Sequence, residues 1–191
     1  MTYIIAEAGV NHNGNFATAK RLIEVAIDVG ADAIKFQAFT PEQLDPPGEW
    51  RDMLTTLALT KSDFIGLSTY ARKRGIEFMA TPFNSEWLFF LVDDCGMSRI
   101  KLASGSITDI ELLEGASVTN LPIIMSTGMS TVAEISRASA LFDAHAVSVT
   151  WLHCISAYPT RLADVNLRRM QSLLQYGDAV GFSDHSVSIY P

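Results

Sequence analysis

Two lysines stand inside short apolar runs of this sequence. Lys35 lies in AIKF and Lys101 in RIKL. An ammonium group enclosed by apolar neighbours costs several kcal/mol unless it has a partner. Such a lysine either snorkels to the surface, points at an anion, or forms a Schiff base with a carbonyl. Lys101 is followed by ASGS, small residues whose backbone N–H groups and hydroxyls suit a phosphate. Glu7 follows the apolar run YIIA, where a carboxylate needs cations or donors that the lysines can supply. The triplet SDH, residues 183–185, gathers a hydroxyl, a carboxylate and an imidazole, a set open to a divalent metal. His153, beside Cys154 in an apolar run, reads as a hydrogen-bonded core histidine, His12 of NHNG as a turn residue, and His145 as a surface residue.

These residues must be held by something, and the pattern around them alternates. Short runs rich in Ile, Val and Phe alternate with segments of helical period. Strands are expected at 3–6, 33–36, 76–80, 99–103, 122–126, 147–154 and 179–183. Helices are expected at 16–29, 61–74, 85–94, 110–118, 132–142 and 165–174, with Gly30 and Gly75 ending the first two. Between Gln37 and Lys61, PEQLDPPGEWRDMLTTLALT reads as a long loop with a short helical turn near 50–57. Strands alternating with helices imply βαβ units and parallel pairing. Two architectures fit, a doubly wound open sheet and a closed barrel. No G-x-G-x-x-G follows the first strand, which argues against a dinucleotide fold. Polar residues end almost every strand: Glu7; Lys35 and Gln37; Thr81; Lys101 and Ser104; Ser126 and Thr127; His153, Ser156 and Tyr158; Ser183, Asp184 and His185. That favours a (β/α)8-type TIM barrel, in which all βα loops face one site. Seven strands and six helices are one strand and two helices short of a full barrel. The expectation is a single, incomplete barrel domain over 1–191, truncated after strand seven.

Composition narrows the partners. Of 191 residues, 48% are hydrophobic and the net charge is −7. An overall basic footprint for nucleic acid is absent. An acidic chain can still hold an anionic substrate with a few local lysines. The two cysteines, Cys95 and Cys154, form no C-x-x-C pair and read as reduced thiols of a cytoplasmic protein. MTYIIAEAGVNHNG is not built like a signal peptide, and no apolar stretch reaches the roughly 18 residues of a membrane span.

Taken in order, IIAEAGVNHNGN, GADAIKFQ, GIEFMATPF, IKLASGSITD, IIMSTGMST, LHCISAYPT, DVNLR and VGFSDHS resemble the sialic acid synthase family. Those enzymes condense phosphoenolpyruvate (PEP) with an N-acetyl amino sugar to give nonulosonic acids. The resemblance runs along nearly the whole chain, one motif per strand. It implies that Lys101, Ser104, Thr81 and Ser183 bind the PEP phosphate and carboxylate. Ser156 stands at a phosphate-side position where some members have Asn. Glu7, Lys35, Gln37 and Tyr158 would face the sugar or the reacting centre, with Asp184 among the substrate contacts. His185 would ligate a divalent metal, Mn2+ or Mg2+. Glu7, Lys35 and Lys101 are the implied catalytic residues, with Glu7 handling the water or its proton. The resemblance also implies a homodimer in the full-length form.

The departures bear on activity. The family's second metal-binding histidine lies on strand eight, with a sugar-binding aspartate nearby, and neither region is present in the sequence. Nor is the small antifreeze-like domain that lends an arginine to the partner subunit's site. The loop after strand two is also shorter than usual. The chain is therefore expected to be the N-terminal part of a synthase or the product of a shortened gene. Three other readings stay open: a catalytically incomplete PEP- or sugar-binding remnant, a Schiff-base aldolase using Lys101 or Lys35, and a PEP-dependent synthase acting on a sugar phosphate. NHNG and SDH together argue against the last.

Overall fold

The structure is a computed structural model that describes residues 2–44, 48–177 and 179–187. Its seven strands form two parallel sheets, and the chain divides into two compact units, 1–98 and 99–191.

The first unit holds β1 (Ile5–Gly9), α1 (Phe16–Asp28), β2 (Ala33–Ala38), α2 (Pro41–Leu44), α3 (Arg51–Leu57), α4 (Lys61–Arg74), β3 (Glu77–Pro82) and α5 (Ser85–Asp93). Its strands pair in sequence order. Alternation sorts the side chains of β2: Ile34, Phe36 and Ala38 join the apolar core with Ala8, Phe78 and Ala80, and Lys35 and Gln37 take the other face. The helices close that core with Ala19, Ile23 and Ala26 of α1, Phe64, Leu67 and Ala71 of α4, and Trp87 and Leu91 of α5. Phe64 meets Phe78 and Trp87 edge-on, at centroid distances of 6.5 and 5.3 Å. Local signals agree with this packing. Asn15 caps α1, Asn84 caps α5, and Thr60 with Asp63 forms a capping box on α4. Gly75 ends α4 in the left-handed conformation (φ +80°).

The second unit holds β4 (Ile100–Leu102), a 3₁₀ turn (Ser104–Thr108), α6 (Ile110–Val118), β5 (Ile123–Ser126), α7 (Val132–Ala144), β6 (Val149–Cys154), α8 (Met170–Leu173) and β7 (Ala179–Ser183). Here too the strands pair in order, all parallel. Trp151, fully buried, packs against Phe142 of α7 and Tyr176. These βα units are those of a partial (β/α)8-type barrel.

Two expected elements differ. The long helix at 165–174 is absent; 3₁₀ turns at Leu162–Asp164, Leu167–Arg169 and Leu174–Tyr176 flank the single α turn α8. Asn166 adopts a left-handed φ of +44°, which breaks a helix, and the Val165 carbonyl is engaged by the His153 ring at 2.7 Å. The stretch after β2 is more helical than a loop: α3 matches the expected turn, and α2 begins at Pro41, the helical position proline favours. Residues 45–47 of that stretch lie outside the described residues.

Phe64 tests the first unit's core. Phe64→Ala is expected to destabilise the fold by about 3–5 kcal/mol, whereas the exposed Val118→Ala changes it by under about 0.5 kcal/mol. Urea unfolding of both variants checks the contrast.

Candidate active site

The first unit brings Glu7, Lys35, Gln37 and Thr81 onto one sheet face. Register sets this: Glu7 lies opposite Lys35, and Gln37 opposite Thr81. Lys35 is 8% exposed, and its Nζ ion-pairs with the Glu7 carboxylate and donates to Thr81 Oγ1 at 3.3 Å. The Glu7 side chain keeps 48% of its surface. The ammonium is thus enclosed while its counter-charge reaches solvent. The register slips after Glu7, where Gly9 adopts φ +52°. A Cβ at Gly9 would lie 3.3 Å from Glu7 Oε1 and 3.9 Å from Gln37 Nε2. Glycine there accommodates the positive φ and spares the Glu7 carboxylate a tight contact.

The second unit builds a different cluster. Lys101, 5% exposed, donates from Nζ to the Leu102 carbonyl at 2.6 Å and Ser126 Oγ at 2.7 Å. Neither lysine snorkels outward. Ser104 Oγ accepts from the Gly128 N–H at 2.9 Å. A Cβ on Gly128 would collide with Ser156 Oγ and lie within 3.1 Å of Cys154 Sγ, so Ser104, Cys154 and Ser156 converge on its bare Cα. Ser183 is paired with Cys154 across the β6–β7 ladder.

Beyond β7, His185 Nδ1 sits 2.8 Å from the Ile155 carbonyl. A carbonyl only accepts, so Nδ1 is the donor in this hydrogen bond, which leaves Nε2 as the ring nitrogen open to a metal in the neutral tautomer. The ring of Tyr158, itself 75% exposed, lies 4.2 Å from that of His185. Asp184 turns back onto its own loop, accepting from Ser186 N at 2.8 Å and approaching Ser186 Oγ at 3.1 Å. Among the described residues no group of three His, Cys, Asp or Glu side chains is placed to hold a metal. The imidazole fits one coordination position.

His153 is a core residue, 2% exposed. The cysteines are free thiols, and burial pushes that of Cys95 up to about 11. Sequence reasoning did not single out Gly9, Gly128 or Cys154. The signal for Gly128 was its place inside STGMS at a strand end, between hydroxyl residues.

Parallel βα units that carry buried lysines and hydroxyls toward the C-terminal ends of their strands define an α/β protein of the (β/α)8 class. Residues 22–190 match the NeuB family, and the chain belongs to it. It is 38% identical to an N,N'-diacetyllegionaminic acid synthase of Legionella pneumophila, over 98% of this chain and 58% of that protein. It is 39% identical to an uncharacterized protein of Methanocaldococcus jannaschii, over 98% of this chain and 56% of that one. The crystal structure of N-acetylneuraminic acid (sialic acid) synthetase from Leptospira borgpetersenii serovar Hardjo-bovis, in complex with citrate, superposes with a TM-score of 0.94 at 37% identity. That match covers 98% of this chain and 66% of the other. The chain thus spans a little over half the length of the curated relatives it matches.

The Lys35 cluster makes opposite forecasts for its two charges. Glu7→Gln leaves the enclosed ammonium without a counter-charge. It is expected to lower stability by about 1–2 kcal/mol, less than for a fully buried pair because Glu7 is half-exposed. Lys35→Met is expected to hold or raise the melting temperature, because an apolar chain needs no partner. Thermal unfolding of the two variants checks the sign.

Proposed function

We propose that this chain belongs to a synthase that condenses PEP with an N-acetylated amino sugar, releasing phosphate and a nonulosonic acid. The observation that carries the reading is the Lys101 cluster: an enclosed cation with Ser104 and Ser156 gathered on Gly128, in a family whose named relatives are synthases of such acids. A fixed cation with several small donors suits a phosphate and a carboxylate on one small molecule.

In this reading Lys101, Ser104, Thr81, Ser183 and Ser156 hold PEP. Thr81 accepts from Lys35, so its hydroxyl keeps a proton to donate. Lys35, Gln37, Tyr158 and Asp184 face the sugar. C3 of PEP forms the new bond to the sugar's aldehyde carbon, and the aldehyde oxygen takes a proton. Water adds to the electron-poor C2 and gives up a proton, for which Glu7, half-exposed and oriented by Lys35, is the base. The C2–O bond to phosphate then breaks and leaves the ketone. His185 would hold Mn2+ or Mg2+ through Nε2, and a bound divalent metal supplies Lewis-acid polarisation of the aldehyde. The aldolase alternative fares worse. Both candidate amines are already engaged, Lys101 Nζ by the Leu102 carbonyl and Ser126 Oγ, and Lys35 Nζ by the Glu7 carboxylate and Thr81 Oγ1, so a Schiff base would have to displace those contacts.

A phosphate-release assay tests the proposal, with PEP, Mn2+, and N-acetylmannosamine or diacetamido sugars. Sugar-dependent release is expected, reduced roughly 100-fold in kcat/KM by Lys101→Met, which removes a charge-assisted contact of about 3 kcal/mol. Gly128→Ala is expected to raise KM for PEP about tenfold by displacing Ser104 and Ser156. A borohydride-trapped pyruvate adduct on Lys101 or Lys35, with no PEP binding by calorimetry, would overturn it.

A further inference from the structure

His12 shapes the NHNG turn, as its place in that motif suggests, and does so from a buried position. It is 1% exposed, with its ring 5.9 Å from that of Phe36, on the core side of β2. Its Nδ1 accepts the Gly14 N–H at 3.1 Å, which requires a lone pair on Nδ1 and therefore a neutral ring protonated at Nε2. Nε2 is buried and makes no hydrogen bond among the described residues. The segment it ties down is a chain of tight turns: Asn11 N bonds Ala8 O, Asn13 N bonds Val10 O, and Asn15 N bonds His12 O, with Asn13 and Gly14 both at positive φ. Gly14 then presses on the segment carrying α3. A Cβ there would collide with the Thr56 carbonyl and lie 3.5 Å from that of Ala58. One imidazole thus fastens the β1–α1 loop, and the loop is the floor on which the end of α3 rests.

We infer that His12 is a neutral pin joining the β1–α1 loop to the α3 segment, and that protonating its ring releases both. A proton on Nδ1 converts the acceptor of Gly14 N–H into a donor, leaving two donors face to face. The fold disfavours that proton: burial holds the His12 pKa below its ordinary value, against weaker opposing effects of the Gly9 backbone and the Asp63 carboxylate on α4. Phe36 on β2 brings no charge. Glu7, on β1, is engaged by Lys35, which belongs to the other face of β2. A histidine with a lowered native pKa contributes stability that is complete above the unfolded value, near 6.5. That stability is lost as pH falls from there through the native value.

Hydrogen exchange of the whole chain, referenced to free-peptide rates at each pH, reads the opening without substrate or metal. Its result is therefore independent of the proposed reaction. Protection at Gly14 and across 51–57 is expected to fall by up to about tenfold per pH unit below 6.5, the slope of one linked proton. Amides of β2 and β3 should not follow. His12→Gln, whose amide oxygen can accept from Gly14 and does not titrate, should flatten the response. Should that variant fail to fold, NMR of the His12 ring in the unaltered chain decides alone, since its titration must track the loss of protection at 51–57. An equal pH response in His12→Gln, a ring protonated at Nδ1 at neutral pH, or protection at 51–57 that survives ring protonation overturns the inference.

Discussion

An ammonium group enclosed within a parallel sheet must have acceptors, and both units are organised around that requirement. Lys35 and Lys101 occupy positions where their neighbours along the strand, Ile34 and Phe36, Ile100 and Leu102, face an apolar core. Alternation then turns each lysine to the opposite face. What answers the charge differs. Lys35 has a carboxylate and a threonine hydroxyl; Lys101 has a carbonyl and a serine hydroxyl. A carboxylate thus stands beside the first cation, and a backbone carbonyl and a hydroxyl accept from the second.

Close packing around missing side chains is the second device. Gly9 and Gly128 each lie where polar side chains converge on a Cα, Glu7 and Gln37 in one case, Ser104 and Ser156 in the other. At Gly128 the absent Cβ is the space the serine hydroxyls occupy, whereas at Gly9 it would only crowd the Glu7 carboxylate. Gly14 uses the same freedom differently, combining a positive φ with close approach to the Thr56 carbonyl. The backbone, not a side chain, makes that contact.

The apolar layers hold these arrangements still. In the first unit Phe36, Phe64, Phe78 and Trp87 form a run of ring contacts between sheet and helices. Helix caps fix where α1, α4, α5 and α7 start, and so set the lengths of the loops that follow the strands. His12 is the one histidine drawn into the first unit's layer, and the imidazole that fills it also holds the loop above it.

Much of this was legible in the chain itself. Helical period placed α4 and α6, and Gly75 marked the end of α4, because the spacing of apolar residues and a C-terminal glycine are local facts. The apolar flanks of Lys35 and Lys101 singled them out, since strand alternation is a property of sequence, while burial decided against snorkelling. The segment 165–174 was misjudged because apolar spacing cannot foresee Asn166 turning left-handed or a histidine twelve residues earlier engaging the Val165 carbonyl. The partners were likewise beyond reach. That Glu7 neutralises Lys35, that Ser126 receives Lys101, and that Gly128 gathers Ser104, Cys154 and Ser156 depend on strand register and loop path. Which residue types stand at the strand ends follows from two-residue and 3.6-residue periodicities, which need no long-range information. Tertiary structure alone decided which of them meet, because contacts between residues dozens of positions apart exist only after the parallel strands are laid side by side.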